Sequence, residues 1–420
     1  MRNKGRMLGA LAAAVAVAGF AVSAAAGAHQ TDPGITKTSI KIGGTFPLTG
    51  VASAYKTIPL AEKAYFDYVN AHGGVNGRKI DFSILDDAYN PAQTVPLVQQ
   101  LVEQDKVFAI LGSLGTAPGL ATWGYVNSHK VPQVFLASGD SYWGFCAHQA
   151  CAGGTKPYTI GWQPDYPAES RMYGKYIAKN TPNAKIGIIY QNDAFGKNYI
   201  NGLKQGLGSK ASSAICDQEG FAATDTTVTQ QILTLKGKGC DTLFIVATPS
   251  QAITSLVTAT KVGWSPTTYL SNVSANRIFM LLAAKNGANI DGVISSSYLL
   301  SPTVNASSSG VKFGAAILAQ YQSALSASYA SGDSNVIYGL GVAWTFVRAL
   351  QNAGKNPTRA TLEKALHSMN YANNPFVYTG IKIQTSSKDN FPIEQEIMIK
   401  WAGGASGDWQ TTGSLQASGH

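Results

Sequence analysis

Short apolar, β-branched runs alternate along this chain with stretches in which apolar positions recur every three to four residues. The first runs fall at 40–45, 80–85, 107–111 and 133–136, and the helical pattern fills 55–71, 91–104 and 118–128 between them. Within 55–71, Ala61, Tyr65, Tyr68 and Val69 share a face, and Gly73 with Gly74 stops the helix. Asn90 and Pro91 read as an N-cap and first-position proline, whereas Pro96 lies deeper than proline favours and predicts a later helix start. The rhythm then repeats, with strands at 185–190, 213–216, 242–247, 268–270 and 292–295 and helices near 195–207, 226–237, 250–262 and 275–285. Helices near 336–354 and 357–369 follow, then extended segments around 376–383 and 394–401.

Strictly alternating strands and helices predict an α/β fold of mainly parallel sheets with right-handed helical crossovers. Two such series imply two lobes, each a doubly wound sheet, whose ligand-binding edges are the loops at the strand C-terminal ends. The apolar helix at 336–354 is interrupted by Gly339, Gly341 and Arg348, so it predicts a packed core element and not a membrane span. Residues 1–28 have a basic head, an apolar middle and Ala-x-Ala endings at Ala24 or Ala28. This predicts a cleaved secretory signal peptide; the alternative is a retained membrane anchor, since the apolar run approaches spanning length. With no cysteine near the cleavage region to carry a lipid, the expected location is the periplasm or the exterior. Residues 413–420 are polar and predict a disordered tail.

The formal charge of +9 includes the leader cations Arg2, Lys4 and Arg6, and the remaining lysines are spread among helices and turns. A solvated surface is the better reading than nucleic-acid binding, which calls for a clustered basic footprint. The four cysteines suit an exported protein if Cys146 pairs with Cys151 and Cys216 with Cys240. His148 between the first two raises zinc as an alternative, but three ligands do not complete a structural site. Disulfides are therefore expected, with no metal and no cofactor.

The glycine-rich loop at 42–55 invites a phosphate-binding reading, which its spacing refuses. Gly50 is followed by Val51 and Ala52 and the nearest lysine is Lys56, so no Walker motif forms, and Gly43-Gly44-Thr45-Phe46 gives no dinucleotide fingerprint. No Gly-x-Ser-x-Gly elbow occurs, and the scattered histidines offer no base to a nucleophile, so no catalytic residue and no enzymatic activity are expected.

Collinear motifs carry a more specific signal. The loop Gly-x-Phe-Pro-Leu-Thr-Gly after the first strand precedes Asn76-Gly77-Arg78-Lys79-Ile80, Asp86-Asp87-Ala88-Tyr89-Asn90-Pro91, Val131-Pro132-Gln133 and the run from Tyr190 to Lys197. In this order the chain resembles the extracytoplasmic solute-binding proteins of ABC importers, of the leucine/isoleucine/valine-binding type, over nearly its whole length. The resemblance implies two α/β lobes joined by three crossings, near 157–159, 295–297 and 370–374. Lobe 1 would comprise 35–157 and 298–369, and lobe 2 would comprise 158–297 and 370–412. A monomer that captures a small solute and delivers it to permease subunits in the membrane is implied, with a sensory module for a membrane receptor as the alternative.

The resemblance also implies a site. The first lobe offers Ser53 and Tyr55, Thr116 at the position of a carboxylate-binding serine, and Ser138 with Asp140. The second lobe offers Gln163, Tyr166, Asp193, Phe195 and Asn272; Ala247-Thr248-Pro249 and Val273-Ser274 also end strands there. Asp193 has a bland account as well, as a helix N-cap. Relatives that bind α-amino acids place an acidic residue where this chain has Val273, and Asp140 replaces a hydroxyl beside the ligand carboxylate. A buried ammonium without a carboxylate carries a penalty of several kcal/mol, so the ligand of those relatives does not transfer with the motifs. The aromatics Tyr142, Trp143, Trp162 and Tyr166 fit an aromatic, amide or other non-amino-acid ligand, or else pack the hinge and lobe faces.

Overall fold

The computed structural model describes residues 32–149, 151 and 154–418, so the leader expected at 1–28 lies outside the described residues. The first sheet holds β1 (Ser39–Phe46), β2 (Lys79–Asp86), β3 (Ala109–Leu111), β4 (Gln133–Leu136) and β5 (Thr159–Gly161). All neighbours are parallel, in the order β2-β1-β3-β4-β5. The second sheet begins with β6 (Ile186–Gln191), β7 (Ile215–Phe221), β8 (Thr242–Val246), β9 (Thr267–Leu270) and β10 (Ile294–Ser297). These are also parallel and repeat the order, as β7-β6-β8-β9-β10. A separate antiparallel pair, β11 (Asn370–Tyr371) with β12 (Ile383–Gln384), precedes β13 (Gln395–Ala402). The latter adds antiparallel to β10 and is itself flanked by β14 (Asp408–Thr411) and β15 (Gln416–Ala417).

The core strands are apolar on both faces because helices cover both: Ile188, Ile189, Leu243, Phe244 and Ile245 are fully buried. In each sheet the strand order reverses once, between β1 and β3 and between β6 and β8, which opens a crevice at the C-terminal edge there.

Several expectations change. The helix Pro91–Gln99 starts at Pro91 and keeps Pro96 inside, because Asn90 accepts the Ala92 N–H at 3.0 Å; a wide turn at Gln100–Gln104 then relaxes the winding. Residues 213–214 belong to a short helix, and the strand starts at Ile215. Two helices that the pattern did not announce, Tyr166–Asn180 and Ser309–Tyr321, are rich in small residues. The first lies so close to helix Ala194–Leu207 that a Cβ on Gly174 would stand 2.6 Å from the Leu203 carbonyl; such glycine-mediated contact leaves a weak hydrophobic signature.

The crossings shift as well. Thr159 and Ile160 are β-branched and cover the edge of β4, so the chain leaves the first sheet after Gly161 and not near 157–159. Tyr298 and Leu299 enter the first core directly after β10. Phe376, Val377, Ile381, Ile383 and Ile393 also bury in that first core, so the last crossing falls between Ile393 and Gln395 and not at 370–374. The tail expected to be disordered from 413 contributes β15 instead, with Gln395 opposite Ala417; strand pairing uses backbone groups and needs no apolar side chains. Cys146–Cys151 and Cys216–Cys240 are disulfides with Cα separations of 5.6 and 5.8 Å, so these sulfurs are not zinc ligands.

Candidate ligand-binding cleft

The loop that looked like a phosphate cradle is filled by the protein's own carboxylate. Asp86, at the end of β2, accepts the N–H groups of Leu48 (3.0 Å), Thr49 (3.2 Å) and Ala88 (3.0 Å) on Oδ1 and the Thr49 hydroxyl (2.6 Å) on Oδ2. Gly50 turns the chain at φ +76°, and the short helix Ser53–Tyr55 then points the Tyr55 ring inward. Tyr55 is 6% exposed and its hydroxyl donates to the Val273 carbonyl at 3.0 Å, joining the first-sheet side to the second.

Tyr55 lines a cavity that collects the strand C-terminal edges of both sheets. From the first side come Ile58, Tyr89, Leu114, Gly115 and Ala137. From the second come Phe195, Thr248, Asn272 and Val273, while Gln163 and Tyr166 enter after β5 and Tyr298 and Leu299 after β10. Ser334, Asn335 and Tyr338, from the start of helix Ser334–Asn352, close the remaining side. No Lys, Arg, His, Asp or Glu is among these lining residues.

Around the rim, polar groups bond across the cleft. Asn198 Nδ2 donates to Asp140 Oδ2 at 2.8 Å, and Asn276 Nδ2 to Asp333 Oδ1 at 2.7 Å. The second pair links two helix caps, since Asn276 caps Arg277–Lys285 and Asp333 caps Ser334–Asn352. Arg277 extends the same contact by donating to the Ser331 carbonyl at 2.9 Å and pairing with Asp408 at 2.9 Å.

Of the residues expected at the site, Tyr55, Gln163, Tyr166, Phe195 and Asn272 line this cavity. Ser53, half-buried, does not. Thr116 and Ser138 lie just behind it, fully buried and bonded to one another at 2.7 Å, while their neighbours Gly115 and Ala137 reach the cavity wall. Asp140 also lies behind: besides Asn198 it accepts the Tyr142 N–H at 2.9 Å, and burial raises its pKa against those two bonds. Asp193 takes its bland role, accepting the Gly196 N–H at 3.3 Å as N-cap and the Gln191 amide at 2.6 Å. Of Tyr142, Trp143, Trp162 and Tyr166, only Tyr166 reaches the cavity; Trp162 supports Tyr298 and Tyr338 edge-on at 5.9 and 5.1 Å and donates to Thr345 at 2.9 Å. Trp143 is buried against Trp123, and Tyr142 is stacked on Trp123 while half exposed.

The sequence reading missed Tyr89, Tyr298, Ser334, Asn335 and Tyr338. Tyr89 and Tyr298 follow β2 and β10, so the strand-edge rule, applied to every strand, finds both. The Ser334–Tyr338 stretch follows no strand and carries no comparable signal.

A buried carboxyl supports the floor of the second side. Glu169 accepts hydrogen bonds from the hydroxyls of Tyr173 (2.7 Å) and Tyr199 (2.5 Å) and from the Asn272 N–H (2.8 Å). Burial pushes its pKa up to about 7, further than these donors pull it down. Asp165, N-cap of Tyr166–Asn180, is raised to about 7 by burial, against bonds from Ser141 and the Ala168 N–H. Among the described residues no group of three His, Cys, Asp or Glu is placed to hold a metal ion, and no helix is long and apolar enough to cross a membrane.

The molecule is similar to several known proteins. A solved fatty acid ABC transporter substrate-binding protein from Thermomonospora curvata superposes with a TM-score of 0.76 at 21% identity, covering 92% of this chain and 95% of that one. A branched-chain amino acid ABC transporter protein from Thermus thermophilus with bound valine gives 0.78 at 16% identity, covering 91% and 97%. Among curated proteins, the leucine-, isoleucine-, valine-, threonine- and alanine-binding protein of Pseudomonas aeruginosa is 24% identical over 57% of this chain and 59% of its own length. The chain thus spans little more than half of that relative, and the relatives are solute-binding proteins, not enzymes. The family model described as periplasmic binding protein matches residues 39–405, and the chain belongs to that family.

Proposed function

We propose that this protein is the extracytoplasmic solute-binding component of an ABC importer. It captures a small solute between two lobes and delivers it to permease subunits in the cytoplasmic membrane. The observation that carries this reading is the cavity between the C-terminal edges of two equivalent sheets, with hydrogen bonds across its rim. A site shared by two halves couples occupancy to closure, because contacts from the second half form only when the halves meet. The solute belongs to the branched-chain or hydrophobic amino acids, or to the aromatic acids or amides; the valine and fatty-acid proteins of the same fold support an apolar body. The chain acts as a monomer, exported by the leader at 1–28, with Cys146–Cys151 and Cys216–Cys240 intact outside the cytoplasm. A thermal-shift screen over these solute classes tests the reading, since a ligand stabilises by RT ln(1 + [L]/Kd). A hit that also shrinks the radius of gyration in solution scattering supports it; no compaction with any member of the panel refutes it.

A further inference from the structure

We propose that Glu169 and Glu396 share one proton along a buried chain through Tyr173 and Ser296, and that this chain positions Asn272 for the solute, so that affinity falls in alkali. The inference rests on the solute-capture reading and goes beyond it, since Glu396 lies outside the cavity lining.

The chain sits where the polypeptide changes sheets. Ser296 is in β10, just before Tyr298 enters the first core, and Glu396 is in β13, directly after the last crossing. Asn272, in the cavity lining, is held by the chain at both ends: its N–H donates to Glu169 Oε1 at 2.8 Å and its Nδ2 to the Ser296 carbonyl at 2.6 Å. Glu169, Tyr173, Ser296 and Glu396 are all buried.

Counting protons fixes the state of the carboxyls. The oxygens meet in sequence: Glu169 Oε1 and Tyr173 Oη at 2.7 Å, Tyr173 Oη and Ser296 Oγ at 2.9 Å, and Ser296 Oγ and Glu396 Oε1 at 2.9 Å. Each contact needs a proton, because bare oxygens at that distance repel, and a hydroxyl brings only one. Tyr173 and Ser296 therefore serve two contacts, and the proton of the remaining one belongs to a carboxyl. Neighbouring hydroxyls do not supply it: Tyr199 donates to Glu169 Oε2 at 2.5 Å and Ser295 to the Leu270 carbonyl at 2.8 Å.

The titratable groups facing the pair bring no positive charge. They are Tyr173 and Asp165 from helix Tyr166–Asn180 and its cap, Tyr199 from helix Ala194–Leu207, and Tyr298 after β10. Burial raises Glu169 to about 7, and burial followed by the charge of Glu169 holds Glu396 well above the ordinary carboxyl range. Loss of the shared proton breaks one bond of the chain and leaves two buried carboxylates, which loosens the hold on Asn272. Affinity supported by raised carboxyls is present at neutral pH and lost as pH rises above it.

Infrared spectra and calorimetry of the full chain test the two parts. At about pH 8 the spectrum of wild type minus that of Glu396→Gln is expected to show the carbonyl band of one protonated carboxyl, because the Gln amide donates the missing proton and leaves Glu169 ionised. Absence of that band overturns the shared proton. In titrations with leucine, benzoate and benzamide, the tightest of the three should lose affinity between about pH 7 and pH 9.5, and the loss in wild type should exceed that in Glu396→Gln by about tenfold. Parallel pH profiles in the two proteins overturn the positioning role and leave solute capture standing. Glu169→Gln keeps one oxygen, which cannot accept both the Tyr199 hydroxyl and the Asn272 N–H, so it should bind about tenfold more weakly at every pH. By the same proton count Glu169→Gln also lacks the band, and it serves as the infrared comparison where Glu396→Gln does not fold. Failure of all three compounds to bind any of these proteins overturns the solute role given to Asn272 and counts against solute capture, whereas the band decides the shared proton by itself.

Discussion

Tyr55→Phe removes one oxygen and isolates the energetics of closure. In the structure the Tyr55 hydroxyl donates to the Val273 carbonyl at 3.0 Å, from a side chain 6% exposed, so the bond is made in a dry place. Losing such a bond removes about 0.5–1.5 kcal/mol, and leaving the Val273 carbonyl unpaired adds to the loss, so about 1–2 kcal/mol is a reasonable total. The phenyl ring keeps its edge contact with Phe279, whose centroid lies 6.5 Å away, so packing is preserved. When the halves separate, water hydrates both groups, and the loss therefore falls on the closed form alone. The closed-to-open ratio should drop about 5- to 30-fold, and the apparent Kd of any ligand that requires closure should weaken by the same factor. Calorimetry on wild type and variant with the best ligand from the screen reads this directly, with scattering to confirm that the bound forms are equally compact. A Kd within about twofold of wild type would refute the reasoning, because it would mean that this bond does not distinguish closed from open.

Asn198→Ala removes the donor to Asp140 across the rim; since Asn198 is half-buried and water replaces part of the bond, about a tenfold weaker Kd is expected by calorimetry. Asp165 has its folded pKa raised to about 7 from 3.8, so its contribution to stability is fully present below about pH 4 and is lost as pH rises through 7. Asp165→Asn keeps an N-cap and should flatten the fall in chemical-denaturation stability between pH 5 and 8 by up to about 2.5 kcal/mol, and an identical pH profile would exclude the residue as its source. Replacing Cys216 and Cys240 by serine opens a link across a sequence separation of 24, which should lower stability by about 3 kcal/mol in denaturant titration. Neither cysteine lines the cavity, so ligand affinity should not change.

The two-sheet plan was legible because it rests on period: continuous apolar runs covered on both faces by helices leave a plain mark at 107–111 and at 242–247. The crossings were not, because the polypeptide that changes sides follows no period. Phe376, Val377, Ile381 and Ile383 look merely extended in sequence, and only their burial in the first core assigns them to that side. The same limit applies to the site. The resemblance, carried over at the loops after strands, announced Tyr55, Phe195 and Asn272, but it also placed Asp140 and Asp193 near the ligand, and hydrogen bonds to Asn198 and to the Gly196 N–H turned them into rim bond and cap. Tyr166 was expected as a contact and lines the cavity, yet it does so from the first turn of a helix, Tyr166–Asn180, that the pattern did not announce.

These assignments together separate two tasks that a closing protein must perform. The bonds Tyr55–Val273, Asn198–Asp140 and Asn276–Asp333 join the halves without any ligand, so they set how readily the closed form is reached. The cavity lining, with neutral side chains only, sets how much a solute adds to that balance. With no charged side chain in the lining, a solute adds its share through ring contact and neutral hydrogen bonds spread over the cavity. Each such contact is worth about 0.5–1.5 kcal/mol, so several must form at once to move the equilibrium by the roughly 5 kcal/mol that full closure from a mainly open population demands. Weakening the rim raises that demand, and it follows that rim variants such as Asn198→Ala and Tyr55→Phe should lower affinity by the same factor for every solute, whereas lining variants should change the ranking among solutes.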